Sequence, residues 1–267
     1  MNIEEYDNKL IVVKYGGNAM TSEELKAAVL DDIAELSQGA YVVLVHGGGP
    51  DINAMLKKIG KEPEFIDGLR VTDEETIEVA LMVLAGKVNK SLVNMLGARG
   101  VRSVGLCGID GGLIQAKLQD ERLGYVGEIT EINTDLIDDL LAKYYVPVIS
   151  TLGCDEKGNT YNINADTAAA YIAGALNADY LLMLTDVPGV MKDINDPASL
   201  IPELKLSEAA ELKDKGIING GMIPKVDCCI TALSKGVKKV SITDGRVPHC
   251  IINQLTGEGA GTEFTKG

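Results

Sequence analysis

The fold is indicated most directly by the stretch YVVLVHGGGP at residues 41–50, where an apolar run leads into three glycines. The apolar run predicts a buried strand, the glycines predict a loop, and residues 51–59 follow with a helical pattern. The stretch LIVVKYGG at residues 10–17 has the same order, and a capping box at residues 21–24 opens the helix behind it. Strand, glycine loop and helix therefore occur twice near the start of the chain.

The rest of the chain continues the alternation of strand and helix. A second capping box, Thr72 with Glu75, opens a long helical region to about Leu96, which we expect Gly86 to bend. Residues 107–123 alternate glycine and polar residues with short apolar runs, which predicts a hairpin. Because the predicted strands are continuous apolar runs, the pattern favours a parallel α/β sheet that is covered on both faces.

The composition argues against several classes of function. The formal net charge of −14 repels nucleic acid and anionic membrane surfaces. With two Phe, nine Tyr and no Trp, few rings are left for stacking on bases or sugars. The five cysteines form no C-x-x-C pair and the two histidines no H-x-x-x-H motif, so we expect no structural zinc site. We expect neither a nucleic-acid partner nor a membrane partner.

No targeting segment is expected. Residues 1–9 are acidic and polar, unlike a secretory signal. The longest apolar run, residues 168–176, is about half of the roughly 18 residues that a membrane-spanning helix needs. The sequence therefore predicts a cytoplasmic protein with reduced thiols.

Neither of two common phosphate-binding motifs is present, since the chain contains no G-x-x-x-x-G-K-[ST] and no G-x-G-x-x-G. Two glycine loops remain, Gly16–Gly17 and Gly47–Gly49, each between a predicted strand and a predicted helix. Their backbone N–H groups could approach an anion at the positive end of the helix. Tight turns alone explain such glycines equally well, so both interpretations stay open.

Three cations lie beside glycine loops or helix starts. Lys14 ends an apolar strand just before a glycine loop, where open α/β sheets bind ligands. Lys225 follows Gly220 and Gly221 by one helical turn, beside a second candidate anion site, although an ordinary surface lysine is the alternative. Arg70 precedes a helix and could clamp a carboxylate with its planar fork, or form a surface ion pair.

Asn162, Asn164 and Asp166 are polar residues at alternate positions, so in an extended segment they share one face. The alternative is a turn followed by a helix N-cap. Capping could use one of the three residues, but not readily all of them.

Five motifs occur in a fixed order along the chain. They are Lys14-Tyr-Gly-Gly17, His46-Gly-Gly-Gly49, Gly68-Leu-Arg-Val-Thr72, Asn162-Ile-Asn-Ala-Asp166 and Gly221-Met-Ile-Pro-Lys225. In this combination the chain resembles the amino acid kinase family over essentially its whole length. The Gly68–Thr72 element is similar to that of family members acting on N-acetyl-L-glutamate, rather than on aspartate, carbamate or uridylate.

The resemblance implies a three-layer α/β/α sandwich with a central, mostly parallel sheet and two lobes. Residues 1–178 would bind the amino acid substrate and dimerise, and residues 179–267 would bind ATP. The implied reaction is in-line transfer of a phosphoryl group from MgATP to the side-chain carboxylate of N-acetyl-L-glutamate. Its product is N-acetyl-L-glutamyl 5-phosphate, in the second step of arginine biosynthesis.

The resemblance also implies roles for single residues. Lys14 and Lys225 match two lysines that stabilise the transition state, and Asp166 matches a carboxylate that orients them. The positions that match substrate-binding residues are Gly48, Gly49, Arg70, Asn162 and Asn164. The positions that match ATP-binding residues are Gly16, Gly17, Thr185, Asp186, Val187, Pro188, Gly189, Val190, Ile217, Ile218 and Asn219. No metal-ligating residue is implied, because Mg²⁺ would be held mainly through the nucleotide phosphates.

An oligomeric state follows from the same resemblance. Family members that arginine inhibits carry a longer helical extension before the first strand, whereas only residues 1–9 precede it here. We therefore expect a homodimer rather than an arginine-inhibited hexamer.

The implied chemistry requires no general base. A side-chain carboxylate with a pKa near about 4.3 is already ionised at pH 7, so His46 is left outside catalysis. Alignment and positive charge are needed instead, since both reactants are anions. Three alternatives stay open: a kinase acting on N-acetyl-α-aminoadipate, a uridylate kinase, and a sensor that binds ligand without catalysis. A uridylate acceptor would need a basic pocket, and a sensor would typically lack one of the lysines or the Asp.

Overall fold

The computed structural model describes residues 3–20, 22–193 and 195–266. The chain divides into two compact units: unit 1 contains residues 1–42 and 169–267, and unit 2 contains residues 43–168. These limits differ from the predicted lobe boundary between residues 178 and 179. The assignment of the two lobes to the amino acid, to dimerisation and to ATP remains a prediction.

Unit 1 is an α/β unit whose described strands lie in the order β12-β14-β13-β11-β1. The strands are β1 (Leu10–Tyr15), β11 (Tyr180–Thr185), β12 (Glu203–Lys205), β13 (Lys239–Asp244) and β14 (Thr262–Thr265). Strands β1, β11 and β13 pair in parallel, and β14 is antiparallel to β13. Nearly every residue of β1 and β11 is buried, as their continuous apolar sequences require.

The helices of this unit differ in how many residues they bury. They are α1 (Glu23–Leu36), α7 (Leu206–Asp214), α8 (Met222–Ser234), α9 (Cys250–Thr256) and most of α6 (Ala165–Ala175). Helix α1 buries six residues and α7 buries one. Helix α1 begins at Ser22, whose side chain accepts a hydrogen bond of 3.3 Å from the backbone N–H of Leu25. The first residue of the predicted capping box, Thr21, lies outside the described residues.

Unit 2 contains a parallel set of strands and a smaller, mostly antiparallel sheet. The parallel strands β2 (Tyr41–His46), β8 (Val146–Ser150) and β5 (Ser103–Cys107) lie in that order. The second sheet has the order β10-β9-β6-β7, formed by β6 (Ile114–Leu118), β7 (Gly127–Ile132), β9 (Leu152–Cys154) and β10 (Thr160–Asn162). A short hairpin is formed by β3 (Phe65–Ile66) and β4 (Leu69–Arg70), and the helices are α2 (Gly49–Lys58), α3 (Glu74–Leu81), α4 (Asn89–Gly97) and α5 (Asp135–Leu141).

Mostly parallel pairing within the main strand sets confirms the predicted α/β class with a mostly parallel sheet. The prediction that a hairpin lies within residues 107–123 is wrong, because the second strand of the observed hairpin lies beyond residue 123. Strand β6 pairs with β7, which begins only at Gly127, because a 3-10 turn at Glu121–Leu123 widens the connection.

Residues 74–97 form one continuous helical region with a π-helical stretch, Met82–Val88, between α3 and α4. Gly86, where the sequence predicted a bend, lies within this segment of i→i+5 hydrogen bonds. The region is long and apolar enough to span a membrane by length and composition, which is weak evidence, because a core helix passes the same test. Its α4 part packs on β5 and β8. Its sequence is not one unbroken apolar run, because Lys87 and Lys90 interrupt it.

The start of this helix corrects the second predicted capping box. The N-cap is Asp73, whose carboxylate accepts from the N–H of Thr76 at 3.0 Å. Thr72 is fully buried and its hydroxyl donates to the carbonyl of Arg70 at 2.8 Å, so it is not the cap. A buried hydroxyl with a nearby carbonyl satisfies its hydrogen bond there, which leaves the cap to the next residue.

Candidate active site

The glycine loop after β2 leads directly into helix α2. Gly48 is the N-cap of α2, and Pro50 lies in the first turn of the helix. A Cβ added to Gly48 would lie 2.7 Å from Cδ2 of Leu84 and 3.3 Å from Cγ2 of Val88, so only glycine fits this contact without a shift. Because the first N–H groups of a helix have no intrahelical acceptor, the loop presents donors at the positive helix end.

A pocket of about 150 Å³ opens beside this loop in unit 2. It contains every residue predicted to bind the acceptor substrate: Gly48, Gly49, Arg70, Asn162 and Asn164. The lining is completed by ten residues that were not predicted to bind the substrate, five of which belong to the same motifs: Gly47, Ile52, Phe65, Gly68, Leu69, Leu84, Val126, Thr151, Ile163 and Ala165. Tertiary structure thus brings together loop, hairpin and strand-end residues that lie up to about 120 positions apart.

Arg70 is the cation of this pocket. It is only 8% exposed, its Nη2 donates to the carbonyl of Gly49 at 3.2 Å, and its guanidinium lies 4.9 Å from the ring centroid of Phe65. Its Nη1 is buried and has no hydrogen-bond acceptor among the described residues. Burial lowers the pKa of the guanidinium, which nevertheless stays charged at neutral pH. A buried donor without an acceptor is costly, and a carboxylate in the pocket would provide one.

Asn162 and Asn164 use their side chains differently. The Nδ2 of Asn162 donates to the Thr72 hydroxyl at 3.2 Å, which ties the end of β10 to the segment after Arg70. The Oδ1 of Asn164 accepts from the N–H groups of Asp166 and Thr167 at 2.9 and 3.1 Å. Asn164 therefore caps α6, as the alternative interpretation of this motif anticipated for one of its three members.

The predicted catalytic residues lie at the ends of regular elements. Lys14 is 6% exposed near the carboxyl end of β1, and its Nζ donates to the carbonyl of Leu184 at 3.4 Å. Lys225 is partly exposed in the first turn of α8, whose N-cap is Gly221. Asp166 is partly buried in the first turn of α6.

A second pocket, in unit 1, has a volume of about 690 Å³. Its lining includes Lys225 and six of the residues predicted to bind ATP: Asp186, Val187, Gly189, Val190, Ile217 and Asn219. The other lining residues were not predicted; they are Met191, Lys192, Asp193, Lys215, Gly216, Gly221 and Met222. Lys192 and Lys215 could have been found from sequence, since each is a cation within two residues of a predicted segment.

The remaining predicted ATP-binding residues do not line this pocket. Thr185 is buried and its Oγ1 accepts from the N–H of Val187 at 3.0 Å, so it shapes the loop behind the lining. Ile218 is buried in the core, and Pro188 lies between two lining residues. Gly16 and Gly17 follow β1, where Gly17 has a φ of +69° and begins a 3-10 turn. Neither glycine is part of either lining described above.

Acidic and thiol side chains do not gather into a metal site. Within the described ranges, no group of three or more His, Cys, Asp and Glu side chains is placed to hold an ion. The described cysteines are all free thiols, and burial raises the pKa of Cys250 to about 12. The Cys250 thiol is therefore protonated at neutral pH.

The fold and the two pockets agree with the class of protein that the motifs suggested. The chain belongs to the amino acid kinase family, whose model matches residues 9–244.

Relatives within this family are similar over almost the full chain. The chain is 52% identical to the acetylglutamate kinase of Clostridium beijerinckii, over 97% of this chain and 93% of that protein. It is 50% identical to the acetylglutamate kinase of Methanococcus aeolicus, over 98% of this chain and 94% of that protein. Among solved structures, smu.665 from Streptococcus mutans matches with a TM-score of 0.81 and 30% identity, covering 97% of this chain and 99% of that one.

Proposed function

We propose that this kinase transfers the γ-phosphoryl group of ATP to the side-chain carboxylate of N-acetyl-L-glutamate. The product, N-acetyl-L-glutamyl 5-phosphate, places the reaction in arginine biosynthesis. The similarity to two acetylglutamate kinases at 50% and 52% identity supports the substrate. The structural observation that carries the proposal is the buried Arg70, which lines the small pocket and whose Nη1 has no hydrogen-bond acceptor among the described residues.

The chemistry of the small pocket fits an acyl amino acid. Arg70 would bind one carboxylate through charge-assisted hydrogen bonds, and the N-terminus of α2 would face the other. Ile52, Phe65 and Leu84 supply apolar surface for the carbon chain. The volume of about 150 Å³ is below the roughly 300–1,000 Å³ of typical drug-sized sites, which disfavours uridylate as the acceptor.

The larger pocket is the proposed ATP site. Its volume of about 690 Å³ lies within the range of sites for nucleotide-sized ligands. Lys225 lines it from the first turn of α8, where the helix end also favours phosphate. Lys192 and Lys215 add two further cations that can offset the negative charge of the chain.

Lys14 and Lys225 are the proposed stabilisers of the transferring phosphoryl group, and Asp166 is proposed to orient them. Phosphoryl transfer depends on alignment and on positive charge at the equatorial oxygens, with little covalent work left for the protein. Burial holds the Lys14 ammonium in one place, which preorganises its charge. No base is needed, since the acceptor carboxylate is ionised at neutral pH.

Mg²⁺ is proposed to enter with the nucleotide. The part of the chain that the structure describes has no cluster of three or more candidate ligands. A site with few protein ligands suits Mg²⁺, because this ion usually keeps several waters and binds through substrate phosphates with one or two carboxylates. Asp186 and Asp193 line the proposed ATP pocket and are the carboxylates that could help to hold it. When bound, Mg²⁺ neutralises phosphate charge.

The experiment that tests the function is a hydroxamate-trapping assay. The protein is incubated with MgATP and N-acetyl-L-glutamate, and in parallel with glutamate, aspartate and N-acetyl-α-aminoadipate. We expect hydroxamate from N-acetyl-L-glutamate alone. Product mainly from N-acetyl-α-aminoadipate would mean that the same mechanism acts on an acid longer by one methylene. That alternative is close in energy, since one methylene contributes only about 1–3 kcal/mol of discrimination between substrates. Binding of ATP without product from any acid would favour the sensor.

A homodimer in the cytoplasm remains the expected state of the protein. Light scattering coupled to size-exclusion chromatography measures the mass directly, and each chain contributes 28.3 kDa. A hexamer mass would contradict the proposed homodimer.

A further inference from the structure

We propose that His46 is a positioning residue, whose Nδ1–H holds the Gly47 carbonyl and thereby aims the Gly48 N–H at an anionic oxygen of the reactants. The proposal rests on the function proposed above and concerns only unit 2. It gives a role in the reaction to a histidine that has no part as a base.

The hydrogen-bond partners define which nitrogen of His46 carries the proton. The Nδ1 atom lies 2.8 Å from the carbonyl oxygen of Gly47. A carbonyl only accepts, so Nδ1 must carry the hydrogen. The ring is fully buried, and this burial lowers the pKa of His46 to about 4, so the imidazole is neutral at pH 7. The Nε2 atom is consequently an acceptor.

Asn89 holds the other side of the ring. Its Nδ2 lies 2.8 Å from the carbonyl of Val148, 3.1 Å from that of Leu106 and 3.0 Å from Nε2 of His46. The two carbonyls require the amide nitrogen on this side, and one of its N–H groups is therefore shared with the imidazole. The Oδ1 of Asn89 accepts from Nζ of Lys90 at 3.0 Å. The tautomer of His46 is thus set by strands β5 and β8 through Asn89.

The consequence for the loop follows from peptide geometry. The described residues contain no cis peptide bond, so the N–H of Gly48 points away from the carbonyl of Gly47. That carbonyl is held toward the imidazole, and the Gly48 amide is turned to the opposite side. Gly47, Gly48 and Gly49 all line the acceptor pocket. Preorganised backbone amides contribute most when their orientation is fixed before the substrate binds.

Two amide substitutions separate the two nitrogens of the ring. His46→Asn places a donor near the position of Nδ1 and gives up the acceptor toward Asn89. His46→Gln places an acceptor near the position of Nε2 and gives up the donor toward Gly47. We expect His46→Asn to retain kcat/KM for N-acetyl-L-glutamate within about threefold. We expect His46→Gln to lower this kcat/KM by about tenfold or more, because a backbone donor that is no longer held in place stabilises the transition state less. The KM for ATP should stay within about twofold in both.

Equal losses in the two variants, or a larger loss in His46→Asn, would overturn the proposal, because a purely structural histidine has no reason to prefer the donor. Circular dichroism and melting temperatures normalise both rates to the folded fraction. His249→Gln is the matched control, since His249 is the other histidine of the chain and its exposed ring pairs with Asp32 at 2.7 Å. That control should keep wild-type kcat/KM.

A measurement on the intact protein keeps the test independent of activity. With only two histidines in the chain, ¹⁵N–¹H spectra of the imidazole rings can be assigned by comparison with His249→Gln. We expect the His46 ring at pH 7 as the neutral tautomer with the proton on Nδ1. An imidazolium or a proton on Nε2 would overturn the proposal even if the enzyme is active. If wild-type protein produces no acyl phosphate while the tautomer is as expected, the proposed function fails and the assigned tautomer stands.

Discussion

The two pockets are built in different ways. The proposed acceptor pocket is small, and its one cation is a buried guanidinium whose Nη1 has no hydrogen-bond acceptor within the described part of the chain. The proposed nucleotide pocket is several times larger and is lined by three lysines, Lys192, Lys215 and Lys225. A site with one buried, incompletely satisfied cation discriminates strongly against ligands without a matching anion. A wide site with several partly exposed cations spreads its binding energy over many contacts.

The largest effect is expected from the two lysines that are proposed to stabilise the transferring phosphoryl group. Lys14→Ala or Lys225→Ala should lower kcat by about 10²-fold or more, the scale for loss of a preorganised electrostatic donor. The acceptor KM should change little. Steady-state kinetics with both substrates varied measures this. Lys117→Ala, at an exposed lysine paired with Glu128 at 3.1 Å, is the control. A loss below tenfold in kcat would contradict the assigned roles.

The second largest effect is expected on the KM for the acceptor, and it distinguishes the two pockets because the KM for ATP should not change with it. Arg70→Ala should raise the acceptor KM by about 10- to 150-fold, since a hydrogen bond to a charged group contributes about 1.5–3 kcal/mol. The kcat should change little, because a clamp on the remote carboxylate binds ground and transition states alike. The KM for ATP should be unchanged, because Arg70 does not line the larger pocket. Arg70→Lys keeps the charge without the fork and should recover only part of the loss. An unchanged acceptor KM in Arg70→Ala would refute the clamp.

A smaller effect tests whether Asn164 serves the acceptor or the helix. Asn164→Ala should reduce the free energy of unfolding by about 1 kcal/mol, because α6 loses its N-cap. Asn164→Ser should restore the stability, since serine is a good N-cap. Urea denaturation of the three proteins measures the difference. A rise in acceptor KM as large as that of Arg70→Ala, without loss of stability, would show that binding outweighs capping here.

The smallest effect is a pH dependence beside the acceptor pocket. Lys61 lies within 2.5–2.6 Å of both carboxylate oxygens of Asp73, and mainly this contact lowers the pKa of Asp73 from 3.8 to about 2. A lowered pKa stabilises the folded state above the unfolded pKa, and that stabilisation is lost as pH falls from about 4 to about 2. Because the pair is exposed, the contribution should be at most about 1 kcal/mol.

Asp73→Asn isolates this contribution, since asparagine also caps a helix but does not titrate. The difference in unfolding free energy between wild type and Asp73→Asn should be largest near pH 7 and shrink toward pH 2. A difference that is independent of pH would mean that the ion pair with Lys61 contributes nothing measurable.

The residues predicted to bind the acceptor all line the small pocket, and the reason that the sequence could group them is local. Gly48, Gly49, Arg70 and Asn162 belong to short motifs whose residue types are unusual for their positions beside strands and helices. The sequence motif around Arg70 could not show that this side chain is buried, because its hydrogen bond with Gly49 joins residues 21 positions apart in the sequence. It also assigned the cap of α3 to Thr72, whose hydroxyl instead bonds with Asn162, 90 residues away.

The lining of the larger pocket agrees less completely with the predicted ATP-binding residues. The 185–190 and 217–219 segments were named through the resemblance, whereas Lys192 and Lys215 also line the pocket and were not named. These two lysines carry no motif and acquire their place only when β11, the following loop and α8 come together. In contrast, Thr185 and Ile218 belong to the expected segments but are turned into the core, since alternate side chains in a loop or strand face opposite ways.

The sequence by itself determined the order of strands, glycine loops and helices, the membership of the amino acid kinase family and the candidate residues of its chemistry. Tertiary structure alone decided which of these residues share a pocket, which asparagine caps a helix, and which nitrogen of His46 carries its proton. The physical reason is the range of the forces involved. Hydrophobic periodicity and turn chemistry act between neighbours along the chain, whereas burial and hydrogen-bond satisfaction depend on groups that packing brings together from distant positions.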